Sequence, residues 1–337
     1  MHNRNRLKKI IDSGDLENTH INLLQKMHEA GRIFRRKTFL NLLPIVILLF
    51  SAVLFFGYSS FRYKRLLYQA QSLKTDIQEV DSQIASIHHN PYISDNELKK
   101  LVQELHTKQE SYSDLREKLH ENDYASFYST DLERRIYDIL MRFGENEYVI
   151  PQEMIQKVGH YVDAYNGRLR KTMERYLKQK ENFFPMIHNV FRKRNIPPEL
   201  AYVSMAESGF DTEALSPAGA KGLWQFMEKT AVDFGLEVNT LVDERLDPEK
   251  STAAAAEYFS DLLAIFGSKS SVMLSMAAYN AGEGRIIGAL RKVEDPVRQR
   301  DFWYLYRMGW LPDETCEYIP RILALMIISE YPKEYGF

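Results

Sequence analysis

Three hydrophobic patterns divide the chain. The first is continuous: residues 38–57, TFLNLLPIVILLFSAVLFFG, carry no charged side chain. As a helix that run spans about 30 Å, the thickness of a bilayer core. Its apolar residues fall on every face, whereas a helix on the core of a globular domain keeps a polar side. A transmembrane helix is predicted over 38–58, preceded by a basic tail over 1–37. The second pattern is a heptad one. Leu66, Ala70, Leu73, Ile77, Val80, Ile84 and Ile87 alternate spacings of four and three. Leu98, Leu101, Leu105, Tyr112, Leu115 and Leu119 make a second seam, interrupted by Lys108. Between the two, HHNPYISDN carries Pro91 and the capping residues Ser94 and Asp95, which predict a break. Residues 62–120 therefore read as a coiled-coil stalk that holds the rest away from the membrane. Two arrangements satisfy the seams. One is an antiparallel helical hairpin within one chain, which Pro91 favours; the other is a longer parallel coiled coil, which would make a homodimer.

The third pattern is that of a helical globular protein. Residues 121–185 predict a helical connector rich in Tyr, Arg and Glu, and 186–337 a compact domain. Pro197 and Pro198 open one helix with Glu199 in its first turn, SPAGAKG is a loop, and Gly235 closes the helix after it. Asp247-Pro248 opens a long helix that ends at Gly267, and SSVMLSMAAYNAG ends near Gly282. No run sustains period-two alternation, so the predicted fold class is all-α.

Charge and composition add little globally and more locally. A net charge of −2 over 337 residues gives no reason to expect a nucleic-acid partner. A single cysteine, Cys316, excludes an internal disulfide and a cysteine-based metal cluster. The nine histidines lack ligand spacing, so neither a metal nor a cofactor is expected. Around the apolar run, Arg32, Arg35, Arg36 and Lys37 stand before it, and Arg62, Lys64 and Arg65 after it. Arg4, Arg6, Lys8, Lys9 and Lys26 add to the first side. The bias predicts the N-terminus inside and the bulk of the chain on the outer, periplasmic face of the cytoplasmic membrane. A cleaved signal peptide is not expected, because the basic segment is too long and no small-x-small site follows. Without a cysteine soon after the run, lipoprotein processing is not expected either.

One carboxyl looks out of place. In LAYVSMAESGF, residues 200–210, helical spacing puts Glu207 in line with Leu200, Val203 and Ser204, on the side predicted to face the core. Desolvation disfavours a carboxylate there. Three further stretches follow: SPAGAKGLWQF from 216, AAYNAGEGRI from 277 and ETCEYIPRILAL from 314. Each alone is weak. In this order and spacing they resemble the lytic transglycosylase domain of soluble-transglycosylase type. With GLWQF, the ending YPKEYGF and the upstream MERYLKQKENFFPMIHNVFRKRNIPPEL, the resemblance is in particular to the membrane-bound lytic murein transglycosylase D family. It covers 160–337.

The resemblance implies a lysozyme-like helical domain that cleaves the MurNAc-(β1,4)-GlcNAc bond of peptidoglycan without water, leaving a 1,6-anhydroMurNAc end during cell-wall turnover. It also gives the carboxyl a use. A general acid must keep its proton near neutral pH, and burial raises a Glu above its usual pKa of about 4.3. Glu207 would protonate the leaving oxygen and then, as carboxylate, take the proton of the C6 hydroxyl that attacks C1. Most glycosidases use two carboxylates; in this family one serves, and the sugar's N-acetyl group is the internal nucleophile. By the same resemblance Ser216 and Gln225 contact substrate near Glu207, Tyr279 and Asn280 line the cleft, and Glu314 and Tyr318 form its wall. Ser208 has two readings, a substrate contact or a backbone cap. Gly219, Gly222 and Gly282 read as turn formers, Trp224 as core, and Arg321 as the partner of a core carboxylate. The implied partners are peptidoglycan strands and the cytoplasmic membrane. Members of the family commonly carry peptidoglycan-binding repeats and a lipid anchor; here the membrane helix is expected to do the anchoring. Two rival functions fit the same residues: a lysozyme-type hydrolase of the same bond, and a non-catalytic scaffold that holds glycan.

Overall fold

The computed structural model describes residues 15–87, 94–119, 127–145, 147–267 and 271–337. The chain divides into two compact units, Met1–Leu67 and Tyr68–Phe337. The described part of the first unit belongs to helix α1 (Asp15–Ile87). Its large apolar side chains between Phe39 and Phe56 are exposed, Phe50 by 65% and Phe56 by 70%. Among the described residues it is the one helix long and apolar enough to cross a membrane.

The second unit takes in the end of α1 and continues through α2 (Asp95–Lys118), α3 (Asp131–Arg142), α4 (Gln152–Asn166), α5 (Arg170–Lys193) and α6 (Ala201–Glu207). It is completed by α7 (Glu228–Asp233), α8 (Pro248–Phe266), α9 (Ser271–Ala281), α10 (Glu283–Leu290), α11 (Phe302–Arg307) and α12 (Asp313–Glu330). Isolated bridges such as Leu215 to Lys221 are the only strand-like pairings among the described residues. The fold described is all-α. Caps explain several boundaries. Asp247 accepts hydrogen bonds from the backbone N–H groups of Glu249 and Lys250, Pro248 occupies the first helical position, and Gly267 at φ 87° ends α8. Helix α12 is the axis of the unit. Most of its side chains from Thr315 to Ser329 are buried, and it packs along α4, α6 and α9. A helix apolar on all sides must be surrounded.

The heptad segments belong to this unit. Ala70, Ile77, Val80 and Ile84 are buried as their spacing predicts. The second seam runs in a different register: Leu98, Val102, Leu105, Gln109, Tyr112, Arg116 and Leu119 are buried, again at four and three. Leu101 and Leu115 only flank it. Two polar residues hid that register, and both are partnered inside the fold. Gln109 Nε2 donates to Glu147 Oε1 at 2.7 Å and to the Val149 carbonyl at 3.0 Å. The Arg116 guanidinium lies 4.6 Å from the Tyr137 ring centroid and 5.2 Å from that of Phe127. The deepest tie is a charge cluster. Arg307 Nε donates to Asp81 Oδ1 at 2.7 Å, and its Nη1 to Glu147 Oε2 at 3.1 Å.

These ties change the expectation of a free-standing spacer, because the seams are packed into the body they were expected to carry. Ala70, Ile77, Val80, Ile84, Leu98, Leu105, Tyr112 and Leu119, a/d positions that a parallel dimer would zip together, are buried within one chain. The expected turn at Pro91 lies outside the described residues. The boundary expected between 185 and 186 falls inside α5, and α4 lies along α12, so the described residues of 127–185 are built into the unit rather than leading to it.

Candidate active site

Glu207 is the last residue of α6, a helix whose other members, Ala201 to Ala206, are all buried. The chain reaches it through a short 3₁₀ turn, Pro198–Leu200, for which proline at the first position is pre-shaped. At this helix end Glu207 is half-buried, where Val203 and Ser204 before it are fully buried. Gly209 follows at φ 64°, its N–H bonded to the Met205 carbonyl. A Cβ at Gly209 would sit 1.8 Å from a Tyr176 ring carbon, so only glycine fits. Phe210 is also left-handed, at φ 61°, and is held between Phe183 and Phe184. Strain of this kind persists only where the surroundings over-determine it.

The loop 211–226 is fastened against this corner. Ser204 Oγ and Ser208 Oγ both donate to the Leu223 carbonyl, at 2.9 and 2.8 Å. Ser208 thus ties its helix end to the loop. Gly222, at φ 72°, lets the chain pass the Arg245 carbonyl, which a Cβ would meet at 1.9 Å. Gln225 sits at φ 52° and spends its Nε2 on the Ala214 and Gly222 carbonyls. Ser216 Oγ accepts the Ala220 N–H at 2.9 Å, closing the SPAGA turn on itself. Trp224 is fully buried and donates its indole N–H to Thr252 Oγ1, as a core residue would. The buried Arg245 guanidinium braces the loop through the Gly219 and Phe226 carbonyls. It also hydrogen-bonds Asp243 and so holds that carboxyl well below its usual range.

Across from this corner stand α9 and α12. Tyr318 Oη donates to Glu207 Oε1 at 2.7 Å. Tyr279 stacks on Phe259 at 4.9 Å and donates to the Trp224 carbonyl at 2.7 Å. Asn280 Oδ1 accepts from Thr315 Oγ1 at 2.8 Å, which joins α9 to α12. Glu314 is exposed, yet near enough for its charge to act on Glu207. Burial pushes the Glu207 carboxyl up, the Tyr318 hydrogen bond and the Arg321 charge oppose it, and Glu314 adds to it. A place at the carboxyl end of a helix acts in the same upward direction. Burial, and then the Glu207 charge, raise both Tyr318 and Tyr279, so both phenols stay neutral donors. The arrangement is one carboxyl of raised proton affinity with a neutral donor fixed to it, the equipment for general acid and base transfer.

Of the residues singled out in the sequence, Glu207, Tyr279, Asn280, Glu314 and Tyr318 converge here. Ser208, Ser216 and Gln225 belong to the loop's own bonding. Thr315 and Arg245 were missed, since nothing local distinguishes a helix threonine or a loop arginine. Arg321, expected to pair with a core carboxylate, makes no ion pair among the described residues. A cavity of about 870 Å³ lies elsewhere, between α2 and the segment 294–307, and Glu207 does not line it. Among the described residues no group of His, Cys, Asp or Glu is placed to hold a metal ion.

Residues 185–302 match the family model described as Transglycosylase SLT domain, and the chain carries such a domain. Over about half its length the chain is similar to membrane-bound lytic murein transglycosylases D and F. Transglycosylase D of Escherichia coli (strain K12) is 35% identical over 181 residues, 51% of this chain and 39% of that protein. Transglycosylase F of Maricaulis maris is 31% identical over 158 residues, 44% and 31% of the two chains. The X-ray structure of the lytic transglycosylase Slt from Pseudomonas aeruginosa superposes with a TM-score of 0.41 at 18% identity, over 79% of this chain and 52% of that one. The chain spans less than half the length of these curated relatives.

Proposed function

We propose that the protein is a membrane-anchored, lysozyme-like peptidoglycan lytic transglycosylase, with Glu207 as its sole acid and base. The observation that carries this reading is the raised carboxyl of Glu207, which lies inside the segment that matches the SLT domain and accepts the Tyr318 hydroxyl. Protonated Glu207 gives its proton to the glycosidic oxygen as the C1–O4 bond breaks. The substrate's N-acetyl oxygen bonds to C1, and the Tyr318 hydroxyl steadies the carboxylate that remains. Glu207 then takes the proton of the C6 hydroxyl. O6 bonds to C1, the N-acetyl oxygen leaves, and Glu207 is protonated again with no water consumed. Tyr279 and Asn280 line the cleft, Glu314 and Tyr318 wall it, and Ser208, Ser216 and Gln225, through the bonds that fix the loop, shape the loop side that meets the sugar.

Mass spectrometry of muropeptides released from purified sacculi decides the chemistry. Anhydro ends, one water lighter than reducing ends, are expected. Reducing ends would make the protein a hydrolase, and no release at all would make it a glycan-holding scaffold.

Helix α1 is read as the anchor, crossing the cytoplasmic membrane with its basic tail inside and residues 62–337 outside. A reporter that is active only outside the cytoplasm, fused after Phe337, is expected to be active. Activity of a cytoplasm-only reporter at the same place would overturn both orientation and substrate.

A further inference from the structure

Helix α12 presents Glu314, Tyr318 and Arg321 at spacings of four and three, one above the other on one face. Tyr318 is the residue that holds Glu207, and the Arg321 guanidinium lies 5.4 Å from the Tyr318 ring centroid. Arg321 is half-buried. Its Nε is enclosed yet has no hydrogen-bond partner. Among the described residues no carboxylate lies within ion-pair distance of it, although helical spacing offers one. Glu317, one turn back, is drawn to the other side: Lys157 Nζ is 3.0 Å from its Oε1 and Tyr161 Oη donates to its Oε2 at 3.0 Å. A guanidinium kept partly out of water without a counter-ion is costly unless something else supplies the charge. Its five donors match a carboxylate in fork geometry.

We infer that Arg321 is the receptor for a carboxylate on the substrate, one turn of α12 along from the Tyr318–Glu207 pair. The inference rests on the proposed action on peptidoglycan, whose strands carry carboxylates in two forms: those of the stem peptide, and the lactyl carboxylate of MurNAc where the stem has been removed. Arg321 is then a specificity-determining residue that sets which strands are held and in which register, while proton transfer stays with Glu207. Its own field reaches Glu207 as well, in the direction that favours the carboxylate.

The test uses the full chain in a Glu207→Gln background, so that binding is read without turnover. Calorimetry measures the affinity of three glycans with and without Arg321→Gln: strands bearing stem peptides, strands stripped to free lactyl carboxylates, and stripped strands with that carboxyl capped as a neutral amide. Arg321→Gln is expected to weaken binding by about ten- to a hundred-fold in at least one charged arm, the loss of one charge-assisted pair, and to leave the neutral arm unchanged. Loss in the first arm assigns the stem peptide, and loss in the second the lactyl group. Arg321→Lys, which keeps the charge, should restore part of the affinity. Equal losses in all three arms, or no loss in any, would overturn the assignment. If the unsubstituted protein released no muropeptides and bound none of the glycans, the proposed function itself would fail instead.

Discussion

Glu207→Gln should remove glycan cleavage while leaving the fold and glycan binding in place. One carboxyl supplies both proton transfers, and a general acid or base group is typically worth about 10²–10⁴-fold in rate; a sole group stands at or above the top of that range. Glutamine keeps an oxygen to accept the Tyr318 hydroxyl, so the corner between α6 and α12 survives. The same variant carries a stability signature. The Glu207 pKa is raised in the folded protein, so its contribution to stability is fully present below the ordinary Glu pKa of about 4.3 and is lost as pH rises through the folded value. Glutamine does not titrate. The melting temperature of the variant relative to the native protein should therefore climb between those two pH values and level off above them. Sacculus-clearing assays check the first expectation and thermal melts across pH the second. Near-native cleavage by the variant would remove Glu207 from the mechanism.

Arg307→Leu should cost more stability than any other single change considered. It leaves Asp81 and Glu147 buried without their cation, and breaking a buried ion pair from one side typically costs about 3–5 kcal/mol. For a unit of this size that is on the order of 10 °C in melting temperature. The loss should depend on pH. Burial already pushes Glu147 up to about 7 against the pull of Arg307. Its contribution is thus full below the ordinary Glu range and lost as pH rises through 7. Without Arg307 the folded value moves higher still, so the gap between variant and native protein should be wider at pH 8 than at pH 5. Thermal melts at the two pH values test this, and a gap that narrowed at pH 8 would mean that Glu147 is not the titrating partner.

Much of the helical plan was legible. The 38–57 run, the Asp247-Pro248 start, the Gly267 stop and the helix opening at Pro197-Pro198 are local events. A proline, a capping carboxylate or a glycine at positive φ acts on its immediate neighbours, so a few consecutive residues suffice to read it. Glu207 was legible as an anomaly for the same reason, an acid at the end of an apolar helical run.

The heptad seams show where local reading stops. Their spacing announced burial but could not say against what. Gln109 and Arg116 look like breaks in a seam until Glu147, Val149 and the rings of Phe127 and Tyr137 are brought to them from later in the chain. The site has the same character. Tyr318 meets Glu207 across 111 positions, and Arg307 meets Asp81 across 226. Nothing in either neighbourhood encodes the other, because such pairs form only when α12 is threaded through the unit and the surrounding helices close on it. The four motifs and several helix boundaries were therefore written in the residues. The contact of Glu207 with Tyr318, the docking of the heptad segments and, among the described residues, the lack of an ion pair at Arg321 came from packing, which sets the distance between charges, and distance together with burial sets what each charge can do.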